Sequence, residues 1–191
     1  MAILKGPALE ELVRAYFSRQ GYFALRSVPF RFEDEDVTDV DVWLYLRQAA
    51  SVRIRSIVDV KNKKSPKAFE RVLWVKGLQQ AMRCDRAVVA TTEVSTTLTR
   101  FAQTQNITVL SKKFLEKLAK KLDTDDRISL EEFVEGIQKF EANKQDGDWL
   151  KILGEAKSAV ASMAGFPAFN LAMLAFRFFG ERVEVRMQHR E

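Results

Sequence analysis

Val37-Thr38-Asp39-Val40-Asp41-Val42-Trp43-Leu44 is the stretch that decides the fold, together with Ser56-Ile57-Val58-Asp59-Val60-Lys61-Asn62 shortly after it. In both stretches, aliphatic side chains alternate with aspartates and other polar or aromatic side chains. A period of two is typical of β-strands, because successive side chains point to opposite faces of a sheet. The sequence therefore predicts two strands that carry carboxylates on one face.

The connection between these strands, residues 48–51, is short enough to close an antiparallel hairpin. If Arg47 faces Arg53, Asp41 lies directly opposite Asp59, and such opposed Cβ atoms are roughly 4.5–5.5 Å apart. Two carboxylates at that separation repel each other unless a cation neutralises them, and a hard divalent cation with oxygen ligands does so. The alternative is an amphipathic hairpin whose charges simply face solvent.

Composition narrows the class of protein. The 191 residues are 47% hydrophobic and 30% charged, which is typical of a globular chain of one large domain or one domain with an appendage. A net charge of +5 favours a polyanionic partner. The single cysteine, Cys84, excludes an internal disulfide and argues against a cysteine-ligated zinc. A reducing, cytoplasmic location is expected.

Residues 159–176 are the one candidate for a membrane segment, because they carry no charge. Gly165-Phe166-Pro167 interrupts them and indicates a break between two shorter helices. We expect a buried helical hairpin and no membrane span. A membrane-tethered protein using residues 159–179 is the alternative.

The remaining pattern predicts an α/β fold. Up to residue 122 the order is α-β-β-β-α-β-α-β-α, which implies a mixed sheet with helices on both faces. After residue 122 the pattern is helical, and Ser129 with Glu132 forms a capping box for the first of these helices. The predicted elements of this region are helices over about 130–142, 149–163 and 167–179 and a short strand over 182–187.

Several short motifs occur in a fixed order within residues 6–110. They are Gly6 and Glu10, Gly21-Tyr22, Thr38-Asp39-Val40-Asp41, Val58-Asp59-Val60-Lys61, Gln79 or Gln80, and Ala87-Val88-Val89-Ala90-Thr91. In this order and spacing the segment resembles the PD-(D/E)xK nuclease superfamily, the restriction-endonuclease-like fold that includes archaeal Holliday-junction resolvases and Mrr-like nucleases. Val40 stands where the motif's name has proline. The resemblance implies an α-β-β-β-α-β core and says nothing about residues 123–191, whose predicted helical extension rests on the sequence pattern alone.

The resemblance also implies a metal site. Asp41 and Asp59 would bind Mg²⁺ (or Mn²⁺), with the carbonyl of Val60 contributing, and Glu10 would complete the shell directly or through water. Oxygen ligands of this kind suit a hard cation. Asp39 is either an acid that supports the metal ligands from behind or a surface charge, and we favour the surface charge.

Two further roles are implied beside the metal. Lys61 would orient or deprotonate the attacking water or stabilise charge that builds on the phosphate, which requires a cation at that place. Gln80, with Gln79 as an almost equal choice, would position that water or the substrate.

Basic residues follow the proposed site along the chain, and they are Lys63, Lys64, Lys67, Arg71 and Lys76. Lysine and arginine side chains that neutralise phosphates bind DNA with little sequence preference and strong salt dependence. The alternative is a solvated loop. Because these basic residues directly follow the proposed carboxylate site, we predict that they contact DNA phosphates.

These observations predict a Mg²⁺-dependent DNA nuclease, a metal-dependent (deoxy)ribonuclease acting as an endonuclease in repair, recombination or defence. The alternative is a catalytically inactive nucleic-acid-binding or assembly module with the same fold. We expect residues 1–122 to form the nuclease-like domain. Residues 123–191 would be a helical region for dimerisation or partner docking. We expect the protein to form a homo-oligomer through these C-terminal helices.

Overall fold

The computed structural model describes residues 6–33, 35–61, 67–92, 94–121, 129–139, 147–162 and 165–188. A five-stranded sheet has the order β1-β2-β3-β4-β5. Its strands are β1 (Phe23–Phe32), β2 (Glu35–Arg47), β3 (Arg53–Lys61), β4 (Arg86–Thr91) and β5 (Ile107–Leu110). β2 and β3 are antiparallel, whereas β3, β4 and β5 run parallel. The predicted α/β class with a mixed sheet is confirmed.

Seven helices occur within the described ranges. They are α1 (Pro7–Arg19), α2 (Ala68–Ala81), α3 (Thr96–Thr104), α4 (Lys112–Lys121), α5 (Leu130–Gln138), α6 (Trp149–Ser162) and α7 (Phe166–Gln188). Pro7 suits the first turn of α1, where its missing N–H leaves no hydrogen bond unmade. Gly21, at φ 86°, supplies the left-handed turn after α1 that other residues adopt less readily. The order from α1 to α4 is the one that the sequence predicts.

The hairpin register also matches its prediction. Arg47 pairs with Arg53, and the ladder continues to Val42 opposite Val58. Because side chains alternate, Val42 and Val58 share one face of the sheet, and the neighbouring aspartates lie on the other.

The chain divides into two compact units, the first comprising Met1–Val28 and Asp39–Ser129. One side of its sheet packs against α1 and α4 in an apolar core formed by Leu9, Leu12, Val13, Val42, Leu44, Val58, Val60, Val88, Ala90, Leu115 and Leu118. The opposite side packs against α2, whose Val72 and Val75 are fully buried. Each fully buried Val or Leu side chain contributes about 1.5–3 kcal/mol relative to an exposed one. The sheet is thus held rigidly between helices.

The second unit comprises Pro29–Thr38 and Leu130–Glu191. An aromatic cluster with edge-to-face geometry holds its helices together, formed by Phe133, Trp149, Phe178 and Phe179. α6 and α7 pack through small side chains, since Ala159, Ala161, Ala168 and Ala175 are all buried. The predicted division of the chain after residue 122 stays a prediction.

The strand predicted over residues 182–187 is wrong, because α7 continues as one helix to Gln188. The alternation of Val183, Val185 and Met187 suggests a strand. Two local contacts favour the helix instead. Arg177 Nε donates to Glu181 Oε1 at 2.6 Å, one turn away, and the Arg182 guanidinium lies over the Phe178 ring at 3.5 Å.

No helix in the described ranges is both long enough and apolar enough to cross a membrane. The uncharged residues 159–176 are divided between α6 and α7, as the glycine and proline in their middle predict.

Candidate functional site

Asp41 and Asp59 converge on the ammonium group of Lys61. Lys61 Nζ lies 3.4 Å from Asp41 Oδ2 and 3.9 Å from Asp59 Oδ1. Extending the β2–β3 register by one pair places Asp41 opposite Asp59, on the face of the sheet that α2 covers. The structure thus brings together the three residues to which the sequence assigns the central roles.

Asp41 is held in place by the backbone of the neighbouring strand. The Val60 N–H donates to Asp41 Oδ2 at 2.7 Å. A carboxylate that accepts a backbone N–H forms a short, charge-assisted hydrogen bond. The orientation of Asp41 is therefore set by β3 itself, whereas the predicted metal contact of the Val60 carbonyl stays a prediction.

Asp59 is paired with Arg71 of α2. Arg71 Nε donates to Asp59 Oδ2 at 3.1 Å, and Arg71 Nη2 donates to Asp59 Oδ1. The guanidinium also lies over the ring of Trp74, 4.3 Å from its centroid. This two-pronged geometry is the strongest form of arginine–carboxylate pairing.

The electrostatics of Asp59 are dominated by its burial. Burial raises the pKa of the Asp59 carboxyl above its ordinary value of 3.8, and the negative charge of Asp41 acts in the same direction. The hydrogen bond and positive charge of Arg71 lower the pKa, as does Lys61, without cancelling the effect of burial. The site thus contains an anion whose charge is costly and which needs a cation beside it.

The donor set fits a divalent cation in part. Two carboxylates point at one ammonium, so their oxygens converge where a cation is stabilised. In the part of the chain that the structure describes, no group of three or more His, Cys, Asp or Glu side chains could hold a metal. The residues therefore fit a two-carboxylate site, with other ligands coming from backbone, water or substrate.

Space at the site is limited. The crevice beside Asp41 and Asp59, closed by Trp74 and Val75 of α2, has a volume of about 10 Å³. A cavity needs roughly 10–15 Å³ to hold a single water molecule. A hydrated cation would therefore enter only if Arg71 and Trp74 moved away.

Glu10 lies on α1, which packs against the opposite side of the sheet from Asp59. Its Oε2 is 3.7 Å from Nε of Arg26, a residue of β1 that is only 4% exposed. Arg26 also contacts Glu11 at 3.4 Å and donates to the Pro7 carbonyl. The structure does not group Glu10 with the two aspartates, and its metal role stays a prediction.

Gln79 and Gln80 have different surroundings. Gln79 is buried, donates from Nε2 to the Asp85 carbonyl at 3.1 Å and accepts from Lys76 Nζ at 3.2 Å. Gln80 is exposed. Nine residues after Arg71, it lies about 180° around α2 from Arg71 at about 100° per residue. Gln79 thus joins α2 to the turn before β4, and Gln80 lies on the side of α2 away from the carboxylates.

The predicted phosphate-binding residues are distributed along α2 and the loop before it. Lys67 is exposed and pairs with Glu70 at 3.1 Å, whereas Lys76 contacts Gln79 and Arg71 contacts Asp59. Lys63 and Lys64 lie outside the described residues. Of the three that the structure describes, Lys67, Arg71 and Lys76, only Arg71 is in direct contact with the carboxylate site.

Two residues of this region were not singled out from the sequence. Arg26 is a buried charge between two glutamates, and Trp74 covers the Arg71 guanidinium. The spacing of Arg71 and Trp74, three residues apart on a helix, is a signal that could have indicated their contact. Arg26 carries no such signal, because its partners come from another element.

No protein-family model and no curated protein matches the chain. The crystal structure of AF1548, a protein of unknown function, is similar to it at 12% sequence identity. The alignment covers 90% of this chain and 97% of that chain, with a TM-score of 0.45. A likeness of this degree bears on neither site nor activity.

Proposed function

We propose that the chain is a Mg²⁺-dependent DNA nuclease of the PD-(D/E)xK type, with the restriction-endonuclease-like core that its motifs imply. The observation that carries the proposal is the meeting of Asp41 and Asp59 at Lys61. Solvated charges on an amphipathic hairpin have no reason to converge. The side chains of Asp41 and Asp59 are only 15% and 6% exposed, respectively. Buried like charges around one cation are typical of functional sites.

Asp41 and Asp59 are the residues that would hold the cation. Asp41 is oriented in advance by the Val60 N–H, so little reorganisation is needed on that side. A bound divalent cation supplies a Lewis acid and lowers the pKa of a coordinated water. DNA is the expected substrate, because a net charge of +5 favours a polyanion.

Lys61 has the position that a charge-stabilising residue requires. Its side chain is 29% exposed, so the ammonium reaches solvent while remaining beside both aspartates. A fixed positive charge at that place stabilises the negative charge that develops on a phosphate in the transition state. Lys61 would also orient the attacking water.

Arg71 connects substrate binding to the carboxylates. Its guanidinium must leave Asp59 before a cation can take both oxygens of that carboxylate. Once released, it lies beside the site and can bind a phosphate with the same two-pronged geometry. The pairing with Asp59 is thus compatible with a phosphate contact for Arg71 in the DNA-bound state.

The pairing of Arg71 with Asp59 favours a second candidate function. Arg71 neutralises Asp59 without any metal, and a stable pair of this kind is what a non-cleaving relative of a nuclease would retain. In that case the chain is a nucleic-acid-binding or assembly module. DNA binding would then persist in the presence of EDTA.

A cleavage and binding assay separates the two. The full chain is incubated with plasmid, single-stranded and branched DNA, with Mg²⁺ or Mn²⁺ and then with EDTA. The nuclease predicts cleavage that EDTA stops and that Asp59→Ala or Lys61→Ala abolishes, whereas Glu70→Ala, at an exposed position of α2, leaves it intact. Binding without cleavage under all of these conditions supports the second candidate.

A further inference from the structure

The outward side of α7 carries an unusual number of large apolar side chains. Between Phe166 and Phe176 six of them are 37–81% exposed, and they are Phe166, Phe169, Leu171, Met173, Leu174 and Phe176. No residue in this half of the helix is charged. Single exposed apolar residues are ordinary on protein surfaces, but a contiguous group of this kind marks an interaction site.

The spacing of four of these residues defines a stripe. Phe166, Phe169, Met173 and Phe176 follow one another at intervals of three, four and three, the a/d spacing of a heptad. The side of α7 that is buried carries alanines instead, at positions 168 and 175. In this half of α7 the buried side therefore carries small residues and the large apolar residues face outward, whereas Phe178 and Phe179, further along the helix, pack against Trp149 of α6.

The size of the stripe is compatible with a stable contact. A phenylalanine has about 150–250 Å² of surface, so the three exposed phenylalanines alone present on the order of 400 Å². The largest apolar patch of a typical monomer is about 300–600 Å², and a standard interface buries about 800 Å² per partner. With Met173 added, two such stripes together approach the roughly 1,000 Å² of total buried surface that marks a specific interface. Leu171 and Leu174 lie about 180° and 120° around α7 from the centre of the stripe, at about 100° per residue, and do not contribute to it.

We propose that a second copy of this chain covers the stripe, through an antiparallel pairing of the two α7 helices. The heptad spacing is self-complementary, because reversal places Phe166 opposite Phe176 and Phe169 opposite Met173. Asn170 directly follows Phe169 and flanks the stripe near its midpoint, where the pairing brings the Asn170 residues of the two copies near each other.

Charge supports this choice of partner. Each chain carries +5, and the uncharged stripe lets two like-charged copies meet without opposed charges at the contact. An anionic lipid surface would be recognised by Lys or Arg beside the apolar face. Residues 165–176 contain none, and Arg177, which follows them, is paired with Glu181 at 2.6 Å. A two-fold contact of one surface with itself is also the commonest symmetry of homo-oligomers.

Light scattering after gel filtration tests the pairing. One chain has a mass of 21.9 kDa, and the wild-type protein is expected to show twice that mass. The double variant Phe169→Glu/Met173→Glu is expected to be a monomer. Its dimer affinity should fall at least about 100-fold, because the pairing would bury two glutamates per helix. Leu73→Glu replaces an apolar residue of α2 that is equally exposed, at 55%, and should leave the dimer intact. A monomeric wild type, or a dimer that survives the double substitution, overturns the proposal.

Cross-linking tests the register. Because Cys84 is buried, a new surface cysteine is the one that reacts. Under mild oxidation Asn170→Cys should form a disulfide-linked dimer, whereas Lys151→Cys, on the exposed surface of α6, should not. Equal cross-linking of both, or flotation of a monomeric wild type with phosphatidylcholine vesicles, contradicts the pairing.

Discussion

Arg71 donates hydrogen bonds from two nitrogens to both carboxylate oxygens of Asp59, joining helix α2 to strand β3 beneath the Trp74 ring. Asp59 is 5% exposed, so this guanidinium neutralises a charge that water reaches poorly. The pair therefore affects both the stability of the fold and the access of a cation to the site.

Replacing Arg71 by methionine should destabilise the protein by about 2–3 kcal/mol, because a buried carboxylate loses its charged hydrogen-bond partner. The measurement is the urea midpoint at neutral pH. Lys67→Met breaks an exposed pair with Glu70 in the same helix region and should change stability by less than about 1 kcal/mol. Equal effects of the two substitutions would show that the Arg71–Asp59 pair has no special role in stability.

The raised pKa of Asp59 makes stability depend on pH. Because this pKa lies above its ordinary 3.8, the folded protein binds more protons than the unfolded chain between the two values. The contribution of this group is full below the unfolded pKa and is lost as pH rises through the folded pKa. The stability of wild type relative to Asp59→Asn should therefore fall from acidic to neutral pH. Urea midpoints across that range test the sign, and a relative stability that rises with pH would contradict it.

The two neighbouring glutamines of α2 should respond differently to substitution. Gln79→Ala removes a buried side chain together with its hydrogen bond to the Asp85 carbonyl and should cost about 1–2 kcal/mol. Gln80→Ala changes an exposed side chain and should stay within about 0.5 kcal/mol. Thermal unfolding of the two variants measures the difference. A larger loss for Gln80→Ala would contradict the orientation of α2.

Cys84 should be unreactive in the native protein. Burial raises the pKa of its thiol to about 11, so very little thiolate is present near neutral pH. Reaction with an aromatic disulfide reagent should be at least about 100-fold slower in the folded protein than after denaturation in guanidinium. A comparable rate in both states would mean that the thiol is accessible.

The sequence predicts the carboxylate site well where its geometry follows from the strand period. Alternation and a short connection limit the possible registers, and the Arg47–Arg53 pairing among them, which the structure adopts, brings Asp41 opposite Asp59. The partner of Asp59 could not be predicted in this way. Arg71 has a long side chain that reaches either solvent or the sheet, and the choice depends on the packing of α2.

Sequence periodicity predicts local structure least well where a segment is compatible with two arrangements. Neighbouring helix positions differ by about 100°, so a glutamine pair gives no indication of which member points inward. Likewise Val183, Val185 and Met187 alternate as in a strand, while the Arg177–Glu181 pair stabilises the helix that actually forms. Tertiary packing decides which glutamine is buried, whereas contacts one turn apart within the helix decide the end of α7.

The most direct test of the central claim is the single-turnover rate of Mg²⁺-dependent DNA cleavage in matched aspartate variants. Asp41→Asn and Asp59→Asn should lower the rate by at least about 100-fold, because each would remove a charged oxygen ligand of the proposed cation. Asp39→Asn changes an exposed aspartate two residues earlier on the same strand and should leave the rate within a few-fold of wild type. Equal losses in all three variants, or no cleavage by wild type with either Mg²⁺ or Mn²⁺, would contradict a metal-dependent nuclease site at Asp41 and Asp59.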